Sequence, residues 1–417
     1  LQTIVSGADL IARAALDAGV NFFAGYPITP ASSIYAAMLK NLQAEGKVAL
    51  GVSDEISALS MCVGASMRGA KSLTASAAPG LSLMVETISY AFATETPVVI
   101  VVGQRLGPST GAATQNAEGD ISFVSNLIAG GYQIPVLAIR SLESAYRLTF
   151  EAVNTAEILR TPVILLTEKD LIMSYASFDE TKLMKPEIKN RKIYNYDGST
   201  VYKPYNFNAL EDVPDFVAAG SQFDQPRTIV TGSMHDKAGN LSKNSSEALE
   251  VLAHHREKIM ANRDKFLFAE LSLRGAQQRS DAKRHPERSE GPPYVHAKQH
   301  TDTNIAIISF LATDLAVREA LRDLESNTNS DSVTASAAKQ STSIKHLSLE
   351  TLFPIPEELI LETIKDCTHV IIPEENMSGQ YAAAIKHLVQ GKQVIKINSL
   401  AAMIKPKQIL EAIDACL

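Results

Sequence analysis

Cysteine is scarce: the 417 residues hold three, Cys62, Cys367 and Cys416, with no C-x-x-C pair and no histidine at ligand spacing. That argues against a disulfide framework, a zinc site and a self-contained iron–sulfur cluster. Long apolar runs are missing as well. None approaches the ~20 residues of a membrane span, and no basic-then-apolar leader opens the chain. The expectation is a cytoplasmic protein without membrane contacts. An excess of one charge is lacking too. The net charge of −7 is mild for this length and gives no electrostatic case for nucleic acid.

What is present is an ordinary globular composition, 45% apolar and 20% charged, with length for two or three domains. Over residues 1–172 helical patterns alternate with short, nearly continuous Val/Ile/Leu strands. Strands are expected at Asn21–Gly25, Val48–Val52, Ser72–Ala75, Val98–Val102, Pro135–Ala138 and Val163–Leu166, with helices between them at Leu10–Ala18, Ser32–Leu42, Glu55–Arg68, Leu81–Thr94, Ile121–Ala129 and Leu142–Leu159. Continuous rather than alternating apolar strands are the mark of a parallel sheet covered on both faces, so the fold class is α/β and doubly wound. Residues 173–265 are more polar and read as a linking region packed on the first domain, with one helix at Ser245–Asn262. Residues 266–303 read as a flexible insertion. A smaller α/β domain follows over 304–417, with strands at Ile305–Phe310, His346–Leu349, Val370–Ile372 and Val394–Ile397 and a mobile Ser/Thr/Asn/Ala loop at 326–343.

In an open parallel sheet, ligands bind beyond the carboxyl ends of the strands, and four suggestive stretches fall there. The first is Phe22–Pro30, FFAGYPITP, an apolar run that exits at Gly25 into two prolines. Thr29 and Pro30 suit a helix start, threonine as N-cap and proline at the first helical position. The second is Ser53–Glu55, where Glu55 opens a helix rich in small residues; a carboxyl that shares a proton with a ring nitrogen would need burial there. The third is Ser76–Pro79. In the fourth, Gly103–Thr114, Arg105 precedes the flexible GPSTGAAT, a setting suited to a bidentate carboxylate clamp. The stretch Gly64–Ser72 nearly spells a phosphate loop, but Ala70 separates Gly69 from Lys71 and the glycines fall inside a helix, so a nucleotide-binding module is disfavoured. His285, His296 and His300 have no regular ligand spacing, and no residue is assigned to a metal.

Together YPITP at Tyr26–Pro30, Glu55, SAAPGLSLMVE at Ser76–Glu86, QRLGPSTG at Gln104–Gly111, TGSMHDKAG at Thr231–Gly239 and PEENMSGQ at Pro373–Gln380 resemble the α-type subunit of 2-oxoacid:ferredoxin oxidoreductases. The resemblance implies oxidative decarboxylation of a 2-oxoacid with coenzyme A to acyl-CoA and CO2, electrons passing to ferredoxin. It implies that this chain forms the pyrimidine-side half of a thiamine diphosphate site shared with a β-type subunit. Glu55 matches the glutamate on the aminopyrimidine ring, with Tyr26, Pro27 and Ile28 beside it. Thr29 and Arg105 match residues that hold the 2-oxo and carboxylate end, and Thr114 a position near the substrate side chain. Mg2+ and the iron–sulfur cluster are expected on the partner, because no G-D-G…N signature is present and Asp197-Gly198 reads as a turn. The C-terminal domain is expected to be transketolase-C-like, and the chain to be inactive alone.

GPSTG in a two-domain chain resembles the 2-oxoglutarate-preferring members; a pyruvate or branched-chain specificity and a non-catalytic scaffold are the alternatives. Three departures stand out. Glu118 occupies a position where the family often has glutamine. Leu311-Ala312-Thr313 replaces the usual Gly-Ser/Ala-Thr, which weakens any approach of that turn to coenzyme A. Arg274–Thr303, with its HPERSEGPP core, has no family counterpart and looks like a translated repetitive DNA element.

Overall fold

The computed structural model describes residues 2–183, 185–195, 201–221, 228–274, 303–328 and 343–417. Most of Arg274–Thr303 and of the loop 326–343, the three histidines at 285, 296 and 300, and Asp197-Gly198 lie outside the described residues.

The chain opens with β1 (Gln2–Ser6), α1 (Gly7–Asp17), β2 (Phe22–Gly25), α2 (Ser32–Ala44), β3 (Val48–Gly51), α3 (Glu55–Met67), β4 (Ser72–Ser76), α4 (Ala78–Ala93) and β5 (Val98–Gln104). It continues through α5 (Ile121–Ser125), β6 (Val136–Ala138), α6 (Leu142–Leu159), β7 (Pro162–Glu168), α7 (Lys169–Met173), β8 (Tyr175–Asp179) and α8 (Ser246–Ala261). The remainder forms β9 (Ala269–Arg274), β10 (Thr303–Ser309), α9 (Thr313–Thr328), β11 (Ser343–Leu349), β12 (Thr351–Phe353), α10 (Glu357–Ile364), β13 (His369–Glu374), α11 (Gln380–Ala384), β14 (Gln393–Asn398) and α12 (Pro406–Asp414).

Local chemistry accounts for the helix starts. Ser6 and Asp9 form a reciprocal capping box on α1, with Ser6 N–H donating to Asp9 Oδ2 at 2.9 Å and Asp9 N–H to Ser6 Oγ at 3.2 Å. Asp54 caps α3 by accepting from Ser57 N–H at 2.7 Å. The expected cap of α2 is corrected. Its N-cap is Ala31, without a side-chain bond, because the first turn closes from Ile28 O to Ser32 N and from Ala31 O to Tyr35 N. Thr29 thus lies before the helix. The expected helix Ile121–Ala129 also ends early, at Ser125, where Asn126 Nδ2 turns back onto Ser122 O and Ser125 Oγ.

The larger sheet has seven strands in the order β12-β6-β7-β5-β4-β2-β3, parallel except for β12. All seven residues of β5 are buried, as a strand covered on both faces requires. Val99 and Val101 enter a core shared with α1, α2 and α6, whereas Val98, Ile100 and Val102 face the opposite core. A second sheet of five strands runs β14-β13-β10-β11-β9, with β9 antiparallel. The linker expected at 266–303 therefore contributes a strand before it leaves the described residues.

The two sheets are not separate bodies. One continuous core joins Val98, Ile100 and Val102 of the first to Ala306, Ile308, Leu347 and Val370 of the second. Strand β12 leaves the C-terminal unit and pairs antiparallel with β6 at the edge of the larger sheet. Arg140, just after β6, donates to Glu350, Asp314 and Glu270 at 2.9, 3.0 and 2.7 Å, tying α9 and β9 to the same edge. The pair β1–β8, which the polar, half-exposed sequence of these strands did not announce, lies apart as a two-stranded ribbon.

Candidate active site

Because β2, β3, β4 and β5 are parallel, their carboxyl ends share one edge, and the four stretches singled out in the sequence arrive there together. Glu55 is the first residue of α3, directly after the Asp54 cap, and is 6% exposed. Its carboxylate makes no hydrogen bond among the described residues. What it lies against is the first turn of α4. A Cβ built on Gly80 would meet Glu55 Oε1 at 2.5 Å and Ser76 Oγ at 2.1 Å, so only glycine lets α4 pass this close to the carboxyl group. The side chain is buried, yet neither carboxylate oxygen is among the sealed-off atoms without a partner, so the group keeps an edge open to a ligand. Glu55 therefore fits a group that offers a proton to it.

Arg105 follows β5 and is also buried. One guanidinium nitrogen donates to the Thr29 carbonyl, so the loop after β2 and the loop after β5 are fastened to each other. Its Nε is buried with no partner among the described residues. Asp120 sits beside it. Burial pushes the Asp120 carboxyl up to about 6 against the pull of the Arg105 charge, and Asp120 N–H donates to Gln104 Oε1 at 3.1 Å. Between Arg105 and Asp120 the chain folds on itself through Leu106 N to Gln115 O and Ala112 N to Leu106 O. Gly111, at φ 50°, is required there, since a Cβ would lie 1.8 Å from Leu106 O.

Thr29 and Ile28 are half-buried, Tyr26 and Pro27 are exposed at the same edge, and Thr114 is exposed on the folded loop. The structure joins Thr29 to Arg105 by a direct bond and places Glu55 on the neighbouring strand end. It shows no contact between Thr114 and the other candidates. Lys71 turns its ammonium to the carbonyls of Ala18 and Lys189 at 3.1 and 2.9 Å, an internal use of this side chain.

Sequence reading did not foresee how PEENMSGQ reaches this edge. Asn376 Oδ1 accepts from the N–H groups of Ser378, Gly379 and Gln380, which shapes the turn. That turn clasps the loop after β5. Glu118 N–H donates to Glu375 O at 2.8 Å, Glu375 N–H to Glu118 Oε2 at 3.0 Å, Asn376 Nδ2 to Glu118 O at 3.2 Å, and Gln380 Nε2 to Gly119 O at 2.7 Å. Asn116 then bridges Glu168 and Glu375 at 2.9 and 3.0 Å. Burial and neighbouring carboxylates push Glu168 up to about 8 and Glu118 well above the carboxylate range, and burial with the Asp170 charge pushes Glu375 upward. The turn at Leu311–Thr313 points its Ala312 N–H at Glu168, an internal carboxyl group.

A family model described as pyruvate flavodoxin/ferredoxin oxidoreductase, thiamine diphosphate-binding, matches residues 13–261. The chain is 31% identical over 398 residues to 2-oxoglutarate synthase subunit KorA of Methanothermobacter marburgensis, covering 95% of this chain and 93% of that one. The chain belongs to the 2-oxoacid:ferredoxin oxidoreductases, as an α-type subunit. It is 27% identical over 416 residues to the KorA subunit of Methanocaldococcus jannaschii, covering 98% of each. The solved 2-oxoglutarate:ferredoxin oxidoreductase of Magnetococcus marinus, with 2-oxoglutarate, coenzyme A and succinyl-CoA bound, matches all of this chain at a TM-score of 0.83 and 25% identity. This chain spans 65% of that longer chain. As an α-type oxidoreductase subunit it carries the expected α/β fold.

Proposed function

We propose that this chain is the α subunit of a 2-oxoglutarate:ferredoxin oxidoreductase, which converts 2-oxoglutarate and coenzyme A to succinyl-CoA and CO2 and passes two electrons to ferredoxin. The observation that carries the reading is Glu55, buried, unpartnered and pressed against Gly80 inside the region matched by the thiamine diphosphate-binding model. When bound, that cofactor supplies the nucleophilic carbon and the electron sink that decarboxylation of a 2-oxoacid needs.

The chain's own residues do the rest of the work assigned to it. Glu55 would hold the aminopyrimidine ring and carry a proton at its carboxylate, with Tyr26, Pro27 and Ile28 forming the wall beside it. Arg105, anchored by Thr29 O, would pair with the substrate carboxylate through the guanidinium edge that remains free, while the Thr29 hydroxyl holds the 2-oxo oxygen. Thr114 on the folded loop would sit near the substrate side chain. The names of the relatives support 2-oxoglutarate over pyruvate or a branched-chain acid.

The diphosphate, Mg2+ and iron–sulfur sites are assigned to a β-type partner, and ferredoxin to the resulting complex. The apolar residues exposed beside Glu55 would suit that partner. Ile56 and Met61 on α3 and Leu83 on α4 are 49%, 45% and 52% exposed, and a Cβ on Gly64 of α3 would meet nothing within 4 Å. Purification of the complex from its native host, with comparison of kcat/KM for 2-oxoglutarate and pyruvate in ferredoxin reduction, tests the reading. A higher value for 2-oxoglutarate and no activity without the cluster-bearing partner are expected. Equal or reversed values would remove the substrate assignment.

A further inference from the structure

Away from this edge, the turn between α4 and β5 carries Glu95, whose carboxylate meets two consecutive histidines of α8. Glu95, His254 and His255 are all buried, and one ligand atom from each lies within 4.8 Å of the others. Glu95 Oε1 is 3.0 Å from His254 Nε2 and 3.9 Å from His255 Nδ1. Ligand atoms around a tetrahedral zinc ion, at about 2.0–2.1 Å from the metal, stand about 3.3 Å apart. Small shifts would bring this set to that spacing.

Three further features suit a cation. His254 Nδ1 donates to Leu210 O at 2.8 Å, the outer hydrogen bond that turns the opposite nitrogen of a ligating histidine towards its metal. His255 Nδ1 is buried and has no hydrogen-bond partner among the described residues. Burial keeps that imidazole neutral, its pKa pushed down to about 3. Lys258 Nζ lies 2.8 Å from Glu95 Oε2 and, of the two carboxylate oxygens, engages that one alone, although its positive charge opposes an entering cation. His255 also lines a cavity of about 170 Å³ shared with His235, Tyr132 and Ser89.

We propose that Glu95 Oε1, His254 Nε2 and His255 Nδ1 form a binding site for a divalent cation of the zinc class. The competing arrangement is a purely structural one, in which His254 donates a proton to Glu95 and no ion enters. Cation binding displaces that proton to solvent, so uptake releases one proton. The ion would pin α8 to the start of β5. Cysteine scarcity says nothing about such a site, since it uses none, and Glu95 lies 159 residues from His254 in the chain.

The test is a Zn2+ titration by calorimetry of the full-length chain in its purified complex, stripped with chelator, beside the His255→Leu variant. Co2+ spectroscopy and melting curves accompany it. One tight Zn2+ per wild-type chain, a tetrahedral Co2+ spectrum and a raised Tm are expected. His255→Leu should weaken Zn2+ binding beyond the roughly 10–100-fold cost of outer-shell changes. Its metal-free Tm should not fall, because His255 Nδ1 gives up no partner. Wild-type protein that takes up no stoichiometric ion would overturn the proposal, whatever the variant does. Equal uptake by His255→Leu would overturn it as well.

Discussion

Glu55 owes its surroundings to a residue with no side chain. A methyl group at position 80 would lie 2.5 Å from its carboxylate oxygen, so Gly80→Ala must push either α4 or Glu55 aside. Overpacking of this kind costs about 1–3 kcal/mol. A lowered Tm and a steep loss of turnover in the assembled complex are expected; an unchanged kcat would show that Glu55 can move without consequence. Arg105→Lys keeps the charge but loses the fork that joins Thr29 O to the substrate carboxylate. KM for the 2-oxoacid should rise about tenfold or more, the worth of a hydrogen bond to a charged group. Both positions were legible in the sequence because a strand end next to a Gly/Ser/Thr loop or a helix start is a local pattern. Glu118 and the turn holding Glu375 also stood out in the sequence, but Asn116 and the pairing of all three did not, because that pairing spans 257 and more residues.

At the scale of elements, the loop after β5 and the turn between β13 and α11 behave as one clasp around a set of buried carboxyl groups. Glu168 has its pKa raised in the folded protein, from an ordinary 4.5 to about 8, and Glu118 and Glu375 are raised with it. Raised folded-state values mean that the clasp contributes full stability below pH ~4.5 and loses it as pH climbs towards ~8. Melting curves across that window should show Tm falling, and Glu118→Gln should flatten the fall by removing one charge from the set. A Glu118→Gln protein with the wild-type slope would place the pH dependence elsewhere. Parallel strands such as β5 and β7 were readable as unbroken apolar runs. The peripheral strands β1, β8, β9 and β12 were not, since they are short or polar and take their partners from distant parts of the chain.

The whole molecule is organised as two sheets on a continuous core, with the proposed cofactor edge on the first and a turn from the second clasping the loop after β5. The division expected near residue 304 followed the change in sequence texture, yet β9 and β12 cross that line in both directions. Texture reports composition, whereas pairing decides what packs together. The exposed apolar residues of α3 and α4 are the face proposed for a partner. Met61→Glu and Leu83→Glu, both at half-exposed positions, should leave the chain's own melting within about ±0.5 kcal/mol of stability while abolishing co-purification of the β-type subunit. Retained co-purification would move the interface to another face.

The central claim is that Glu55 serves a thiamine-dependent oxidation, and Glu55→Gln in the assembled complex tests it most directly. The measurement is the rate of ferredoxin reduction with saturating 2-oxoglutarate and coenzyme A, against the wild-type complex of equal cluster content. A loss of roughly 100- to 10,000-fold, the usual range for removal of a proton-handling side chain, is predicted. Turnover equal to wild type would contradict the account and leave the chain as a scaffold that has kept the fold without its chemistry.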